Sequence, residues 1–327
     1  MRPTMQAAVI RHAGGPEVLR IETLPVPEPA EGEVLIRVKA FGLNRSELFT
    51  RRGQSPGVHF PRVLGIEATG IMEAAPGVEG LRPGDKVASV MGGMGRAFDG
   101  GYAEFTVVPA HQVRRIETEL PWAVLGALPE MLQTAWGAVF TALQGRAGDR
   151  LLIRGGTTSV GLAAAQIAAQ RGLIVAATTR QSDRLTFLAR HGVALPLLDT
   201  GTVADDLRQH WPKGANKVLD LVGTGTLLDS LRCAGKGGIV CLCGMVGNQW
   251  TLPEFEPMAA IPSGVCLTTY SGGVEDFMAM PFEALVKDVE QGRLDIPLGP
   301  TFPLRAIAEA HGVMEHNRAM GKMVVLP

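Results

Sequence analysis

The fold is decided by the stretch DRLLIRGGTTSVGLAAAQIAAQRGLIVAATTR, residues 149–180. Residues 151–153 are apolar at successive positions, which is typical of a parallel strand covered by helices on both faces. A glycine-rich turn follows, and the alanine-rich segment from Val160 predicts a closely packed helix with Ser159 as its N-cap. A second apolar run then completes one βαβ unit.

The turn between this strand and this helix predicts a dinucleotide site. It leaves backbone N–H groups at the positive end of a helix, which suits a pyrophosphate. A standard G-x-G-x-x-G loop would carry another glycine where this chain has Thr158 and Ser159, and a tight turn needs small residues even when it binds nothing. The two replacements either add hydroxyl donors for phosphate or narrow the loop. The predicted cofactor contacts in the turn are Gly155, Thr157, Thr158, Ser159, Val160 and Gly161.

The end of the second strand indicates which nucleotide would bind. An NAD site usually places an acid there to hold the ribose 2′-hydroxyl, but this segment ends in Arg180 and meets no acid before Asp183. We therefore expect a 2′-phosphate, held by charge-assisted hydrogen bonds from Arg180 and Arg184. The alternative is that both are solvated surface arginines.

The remaining pattern predicts an α/β fold with two parts. Residues 5–40 alternate as half-buried antiparallel strands, a short helical stretch follows from Asn44 to near Gly53, and residues 63–72 and 102–109 are each predicted as a strand. Strands and helices alternate from about Pro121 to residue 243. The second pattern indicates a Rossmann doubly wound parallel sheet, and the first a smaller β-rich domain. The final run, residues 321–326, needs a sheet to pair with and is predicted to return to the first domain.

Composition excludes several classes of function. The formal net charge of −1 over 327 residues does not suggest a nucleic-acid partner, and no apolar stretch is long enough to span a bilayer. We expect a cytoplasmic enzyme with no membrane partner. The four cysteines show no CxxC or Cys/His cluster and are interpreted as reduced core residues, with no metal site.

Seven ordered stretches together resemble the medium-chain dehydrogenase/reductase superfamily, in its zinc-independent quinone oxidoreductase branch, which includes the zeta-crystallin-like reductases. They are residues 14–19, 42–48, 61–67, 84–87, 101–104, 134–136 and 155–165. The resemblance implies a GroES-like catalytic domain that begins with residues 1–125, a Rossmann NADP-binding domain at 126–265, and a C-terminal return at 266–327. It also implies NADPH as the cofactor and usually a homodimer.

The resemblance also implies that zinc is absent. The zinc-dependent branch carries a catalytic Cys where this chain has Asn44, and a His where it has Ile66. Residues 92–102 contain no cysteine for a structural zinc lobe. The Lewis acid of a zinc-dependent alcohol oxidation is therefore not expected.

Further site residues follow from the resemblance. Asn44 and Thr134 should lie near the nicotinamide, where Asn44 could orient the carboxamide or donate to a developing oxyanion. Alternatively, Asn44 is a turn amide that satisfies local backbone, and Thr134 bonds its own helical turn. Asp199 falls beside the adenosine, where its charge could weaken 2′-phosphate binding unless Arg180 or Arg184 neutralises it. The predicted contacts at the adenine and nicotinamide ends are Gly244, Met245, Val265, Cys266 and Leu267.

Three functions remain open. The leading hypothesis is an NADPH-dependent reductase that passes hydride to a quinone or another electron-poor conjugated carbonyl. The second is an enone or enoyl-thioester reductase, which also needs a proton donor. Some relatives carry tyrosines where this chain has Phe49 and Ser55, so that proton would have to come from water or Tyr102. The third is an NADPH-binding structural module without turnover.

Overall fold

The computed structural model describes residues 3–316, 319 and 321–327, which divide into two units. The first unit comprises Met1–Gln133 and Gly272–Pro327, and the second comprises Thr134–Ser271. The chain therefore leaves the first unit once and returns to it. The predicted mixed α/β fold, with one strand-rich part and one part of alternating strands and helices, is confirmed.

Short strands dominate the first part of the chain. They and the helices among them are β1 (Thr4–Ile10), β2 (Arg20–Pro25), β3 (Glu33–Gly42), α1 (Arg45–Arg51), β4 (Arg62–Val63), β5 (Glu67–Ala74), β6 (Lys86–Val90), β7 (Phe105–Pro109), β8 (Val113–Arg115), α2 (Trp122–Leu125) and α3 (Pro129–Trp136). Residues 63–72, expected as one strand, are instead split between β4 and β5.

Alternating strands and helices form the second unit. After a π-helical turn at Gly137–Ala142, they are β9 (Arg150–Arg154), α4 (Ser159–Gln170), β10 (Ile174–Thr179), α5 (Leu185–Arg190), β11 (Leu195–Leu198), α6 (Ala204–His210), β12 (Ala215–Asp220), α7 (Thr224–Cys233), β13 (Ala234–Leu242), α8 (Pro257–Ala260) and β14 (Cys266–Thr269). The chain ends with α9 (Val274–Ala279), α10 (Phe282–Glu290), β15 (Leu298–Pro303), α11 (Ile307–Glu315) and β16 (Lys322–Leu326) in the first unit.

The second unit contains the predicted parallel sheet. Its strand order is β11-β10-β9-β12-β13-β14, and every neighbouring pair is parallel. This is the 3-2-1-4-5-6 order of a dinucleotide-binding sheet, and the order reverses between β9 and β12. Leu152, Ala176, Val218 and Val240, which come from four neighbouring strands, are fully buried in one core cluster.

The first unit contains two sheets. One has the order β2-β1-β4, and the larger has the order β15-β16-β3-β5-β6-β8, with β7 also paired to β3. Val34, Ile36 and Val38 of β3 share one face and are buried, as the alternation predicted. The return of the last strand is confirmed, because Val324 pairs with Gly42 and Val325 with Phe41.

The expectation of four core cysteines is only partly correct. Cys233 and Cys241 are buried, Cys243 is half-buried and Cys266 is exposed on β14, the last strand of the parallel sheet. All four are free thiols. Among the described residues, no helix is both long and apolar enough to cross a bilayer.

Candidate functional site

The turn after β9 is stabilised by hydrogen bonds of the Thr158 side chain. The Thr158 hydroxyl donates to the Gly155 carbonyl at 2.8 Å and accepts from the Gly161 N–H at 3.0 Å. Thr158 is therefore the N-cap of α4, and the prediction that Ser159 caps the helix was wrong by one residue. Since the Thr158 hydroxyl is engaged within the loop, it is not a spare donor for phosphate.

Gly161 is required by close packing between helix and loop. A Cβ at this position would lie 2.6 Å from the Gly155 carbonyl oxygen and 2.9 Å from the Thr158 hydroxyl. Both distances are too short for a non-bonded contact. A side chain here would therefore push α4 away from the loop.

The turn leaves several backbone donors for an external anion. In the described part of the chain, no acceptor is bonded to the N–H groups of Thr157, Ser159 or Val160. Ser159 and Val160 begin a helix of twelve residues, whose N-terminal end carries a partial positive charge. The predicted loop residues therefore come together in one turn at the carboxyl end of the central strand, and its unbonded donors would suit an anion.

Arg180 and Arg184 follow the strand whose end is bonded to this turn. The Gly156 N–H donates to the Thr178 carbonyl at 2.9 Å, which ties the end of β10 to the loop, and Arg180 follows β10 directly. Arg180 is exposed, and Arg184, at the end of a 3-10 turn, is partly exposed. Neither guanidinium forms an ion pair within the residues that the structure describes.

Asp199 is neutralised, but by a residue that sequence reasoning did not consider. Arg154, the last residue of β9, is fully buried and binds both Asp199 carboxylate oxygens at 2.9–3.0 Å. The same guanidinium also donates to Asp229 at 2.7 Å. Burial works to lower the pKa of Arg154, but the two aspartates raise it overall, so the guanidinium stays charged.

The predicted adenine and nicotinamide contacts separate into two groups. Gly244 and Met245 follow β13, and the Gly244 N–H reaches the Asp220 carbonyl at the carboxyl end of β12. Val265, however, precedes β14, and Cys266 and Leu267 begin it, at the amino end of that strand. The structure therefore does not bring these three together with the loop, which lies at the carboxyl ends.

The register of β14 against β13 explains why the second group lies away from the loop. Cys266 pairs with Ile239 and Thr269 pairs with Leu242, so the carboxyl edge is reached only at Thr269 and Tyr270. Tyr270 packs directly on Gly137, one helical turn beyond Thr134. Thr134 itself is half-buried in α3 and belongs to the second unit, whereas Asn44 belongs to the first.

Asn44 lies in a buried polar cluster of the first unit. It is the N-cap of α1, where its N–H donates to Glu47 Oε2 at 2.7 Å in a capping box. Its side chain also reaches outside the helix, because Nδ2 donates to Glu67 Oε1 at 2.8 Å and Oδ1 accepts from the ammonium of Lys322. The local backbone contact, to the Gly42 carbonyl, is long at 3.4 Å. Asn44 therefore has the local role of the alternative interpretation and, in addition, joins a buried charged cluster.

Two carboxylates and one ammonium complete this cluster. Lys322 Nζ lies 3.3 Å from Glu67 Oε1 and 3.4 Å from Glu130 Oε2, and Glu67 Oε2 accepts from the Glu130 N–H at 2.8 Å. Burial raises the pKa of Glu67, although Lys322 opposes that shift.

A second buried network holds Tyr102. Its hydroxyl donates to Glu47 Oε2 at 2.6 Å and lies 3.0 Å from His311 Nε2. Arg51 can only donate to His311 Nδ1, at 3.2 Å, so Nε2 carries the imidazole proton and donates to Tyr102. Burial, and after it Arg51, lowers the pKa of His311 to about 3.

Tyr102 is therefore excluded as the proton donor to a substrate, which leaves water of the two sources considered. The residue is fully buried, and its hydroxyl proton is already shared with a carboxylate. Burial and the negative charge of Glu47 raise the pKa of Tyr102 well above its usual value.

The donor set around Asn44 does not fit zinc. Catalytic zinc takes three protein ligands from histidine, cysteine and carboxylates. Ile66 offers no donor atom, and the ammonium of Lys322 lies on the oxygen of Asn44, where it would repel a divalent cation. No cluster of three or more potential ligands exists among the described residues.

Arg154 and Lys322 are the residues that sequence reasoning missed. Arg154 directly follows the buried apolar run 151–153, and this position could have indicated a charged pair, because a buried arginine requires acidic partners. Lys322 carried no such signal, since it contacts Asn44 from 278 positions away.

Two family models match the chain. The alcohol dehydrogenase GroES-like domain matches residues 30–118, and the zinc-binding dehydrogenase model matches residues 192–325. The first match lies in the strand-rich first unit. The second begins in the parallel sheet and extends into the last strand, β16.

Curated relatives match over almost the full length. The quinone oxidoreductase of Pongo abelii is 29% identical over 329 residues, which cover 98% of this chain and 98% of the relative. The acryloyl-coenzyme A reductase of Metallosphaera sedula is 28% identical over 348 residues, with 98% and 99% coverage.

Solved structures agree with these relatives. A crystal structure of an NAD-dependent alcohol dehydrogenase is 30% identical with a TM-score of 0.86, and covers 99% of this chain and 100% of its own. A mycobacterial protein in complex with NADPH is 27% identical with the same TM-score and coverage. The chain therefore belongs to the medium-chain dehydrogenase/reductase superfamily of oxidoreductases, in its quinone oxidoreductase branch.

Proposed function

We propose that the protein is an NADPH-dependent, zinc-free reductase that transfers hydride to a quinone or another electron-poor conjugated carbonyl. The observation that carries the proposal is the turn after β9, where the N–H groups of Thr157, Ser159 and Val160 have no acceptor among the described residues and are available to a pyrophosphate. The similarity to quinone oxidoreductases supports the substrate class. The similarity to a protein solved with NADPH supports the cofactor.

The preference for NADPH over NADH rests on charge. Arg180 and Arg184 follow the second strand, where the 2′-phosphate of NADPH would lie. The carboxylate of Asp199 would oppose that phosphate, but Arg154 neutralises it from the buried side. Arg154 is shared with Asp229, so Arg154, Arg180 and Arg184 together oppose the two carboxylates of Asp199 and Asp229. The remaining positive charge favours the dianion over a neutral hydroxyl.

The cofactor supplies the hydride when it is bound, and the protein supplies alignment and charge stabilisation. We assign the phosphates to the turn after β9, and the adenosine end to Gly244 and Met245. Thr134 and Asn44 are assigned to the nicotinamide and the substrate. One N–H of Asn44 is held by Glu67, and the other has only the long contact to Gly42, so it can donate to an oxygen on which negative charge develops.

A second candidate is reduction of the C=C bond of an enone or an enoyl thioester, which the similarity to an acryloyl-coenzyme A reductase favours. Hydride then adds to the β-carbon and a proton must reach the α-carbon. Tyr102 is too deeply buried to supply it. The only other tyrosine, Tyr270, is half-buried after β14, but its hydroxyl is buried against Gly137, so we assign that role to water.

A third possibility is an NADPH-binding structural module without turnover. The free N–H groups of the loop serve such a module equally well. The weakly engaged N–H of Asn44 and the charged cluster behind it argue for an enzyme, because a module has no use for them.

A homodimer is also proposed. Strand β14 is the last in its sheet and pairs only with β13 in the described chain, so its outer edge is open to a second strand. Trp250 and Met258, close to it in sequence, are 53% and 94% exposed. Exposed apolar side chains next to an open strand edge favour association.

A panel of acceptors tests the proposal. NADPH oxidation is measured with quinones, enones and enoyl-coenzyme A thioesters, and mass spectrometry identifies the products. We expect the fastest turnover with quinones. Faster formation of a saturated product from the enones or thioesters would favour the second candidate. NADPH binding without oxidation across the panel would favour the structural module.

A further inference from the structure

Strand pairing places Lys322 opposite Asn44. The antiparallel register of β16 and β3 pairs Val324 with Gly42 and Val325 with Phe41. The same register, continued by two residues, sets Lys322 against Asn44, and the Leu43 N–H donates to the Met323 carbonyl at 3.0 Å. The contact between the two side chains is therefore a cross-strand pair fixed by backbone hydrogen bonds.

The stem of Lys322 occupies space that only glycine leaves open. A Cβ at Gly42 would overlap with Lys322 Cε and with Glu67 Oε1. It would also lie 3.0 Å from the carbonyl oxygen of Gly126. The absence of a side chain at Gly42 thus makes room for both the lysine and its carboxylate partner.

The lysine determines which way the Asn44 amide faces. An ammonium has donors only, and an ionised carboxylate has acceptors only. Lys322 therefore requires Oδ1 on its side, and Glu67 requires Nδ2 on the other. The reversed amide would set N–H groups against the ammonium and an oxygen against the carboxylate, so one orientation is strongly preferred.

The ammonium stays charged although it is 3% exposed. Burial works to lower the pKa of Lys322, but Glu67, Glu130 and Glu47 together raise it above its usual value. A permanent positive charge on the oxygen of an amide polarises that amide and strengthens its N–H groups as donors.

We propose that Lys322 is a positioning residue, which locks the Asn44 carboxamide in one orientation and polarises its N–H edge. The effect on turnover rests on the proposed function, in which Asn44 donates to the substrate or to the nicotinamide carboxamide. The Lys322 ammonium thus supplies a positive charge behind Asn44, in a cluster whose donor atoms do not fit a metal ion.

Four variants and a matched control test this role. Lys322→Met keeps the length of the side chain and removes its charge, whereas Lys322→Arg keeps the charge. Asn44→Ala and the double variant Asn44→Ala/Lys322→Met complete a cycle. Lys86→Met is the control, because Lys86 is also partly buried in the first unit but donates to the Thr118 carbonyl instead.

Steady-state kinetics give the first measurement. We expect Lys322→Met to lower kcat by about tenfold or more, with little change in the KM for NADPH, because the lost interaction acts mainly in the transition state. Lys322→Arg should recover part of the loss. The double variant should be no slower than Asn44→Ala, since the lysine acts through the amide. The proposal would be overturned if the reductions in kcat of the two single variants multiplied in the double variant, or if kcat were unchanged in Lys322→Met.

A measurement without substrate separates this inference from the proposed function. The side-chain amide of Asn44 is observed by nitrogen-15 NMR and is assigned from its loss in Asn44→Ala. We expect slowly exchanging amide protons in the parent, in Lys322→Arg and in Lys86→Met, and fast exchange in Lys322→Met. Unchanged exchange in Lys322→Met would refute the positioning role whatever the enzyme reduces. The expected pattern in a protein without reductase activity would refute the proposed function alone.

Discussion

Single residues carry much of their effect through buried charge, and Glu47 is the clearest case. Its carboxylate accepts from Tyr102, from the Asn44 N–H at 2.7 Å and from the Ile66 N–H at 2.8 Å. Even so, burial is the larger effect and raises the pKa of Glu47 to about 7 from an ordinary value of 4.5. The folded chain therefore holds a proton that the unfolded chain releases at lower pH.

This pKa predicts how stability changes with pH. A raised folded-state pKa contributes stability that is present below the unfolded value and lost as the pH rises through about 7. Glu47→Gln should unfold more easily than the parent at pH 5, with a deficit that shrinks toward pH 8 by up to about 1.4 kcal/mol per pH unit. Urea midpoints measured across this range test the trend, with Glu309→Gln, an exposed position, as the control. A constant deficit would contradict it.

Arg154 offers a second test at this scale. Arg154→Met leaves Asp199 buried without its cation, which should cost about 3 kcal/mol of stability and weaken NADPH more than NADH. The double variant Arg154→Met/Asp199→Asn removes the stranded carboxylate and should regain most of the NADPH preference. Cofactor titration of both variants measures this. Equal loss of both cofactors in the single variant would mean that Asp199 does not face the 2′-phosphate.

Small residues allow helices and loops to pack closely, as Gly161 does at the start of α4. Gly161→Ala should displace the helix from the loop, because its Cβ would lie 2.6 Å from the Gly155 carbonyl oxygen. We expect a loss of NADPH affinity of at least about tenfold. Ala163→Gly is the matched control, since it weakens the same buried helix by about 1 kcal/mol without touching the loop. Similar affinities in the two variants would contradict the close-contact account.

The strands and helices differ in how well the sequence predicts them. Strands β9 and β10 and helix α4 were predicted almost to the residue, because continuous apolar runs and a small-residue helix are strong local signals. Strand β15 was missed, since Gly299 and Pro300 interrupt it and its register shifts between Leu298 and Thr301. Strand β14 has only four residues, so the sequence did not show where it ends. Val265 was therefore predicted as a cofactor contact, although Thr269 is the residue at the carboxyl end of the strand.

Contacts between distant segments could not be predicted. The loop after β9 could be assigned because its residues are neighbours in the sequence. The cluster of Asn44, Glu67 and Lys322 depends on the register between the third strand and the last, which no local pattern encodes. Likewise, the partner of Asp199 was sought in the nearby arginines, although the sheet brings Arg154 to it from the central strand.

The whole molecule is predicted to be a dimer through the open edge of β14. Thr268→Lys places a charge in that edge strand, which should oppose pairing with a second copy. Light scattering after gel filtration should give about twice the chain mass of 34.7 kDa for the parent and a shift toward the single mass for the variant. A monomeric parent, or a variant that stays dimeric, would contradict this assignment of the interface.

A cofactor titration is the sharpest test of whether the protein is an NADPH-dependent reductase. Nicotinamide fluorescence is measured for NADPH and NADH with the parent, Arg180→Ala, Arg184→Ala and the double variant. We predict much tighter binding of NADPH by the parent, and about equal affinities for the two cofactors in the double variant, since each lost charge-assisted hydrogen bond costs about 1.5–3 kcal/mol. Tighter binding of NADH by the parent, or a preference unchanged by both substitutions, would contradict the account.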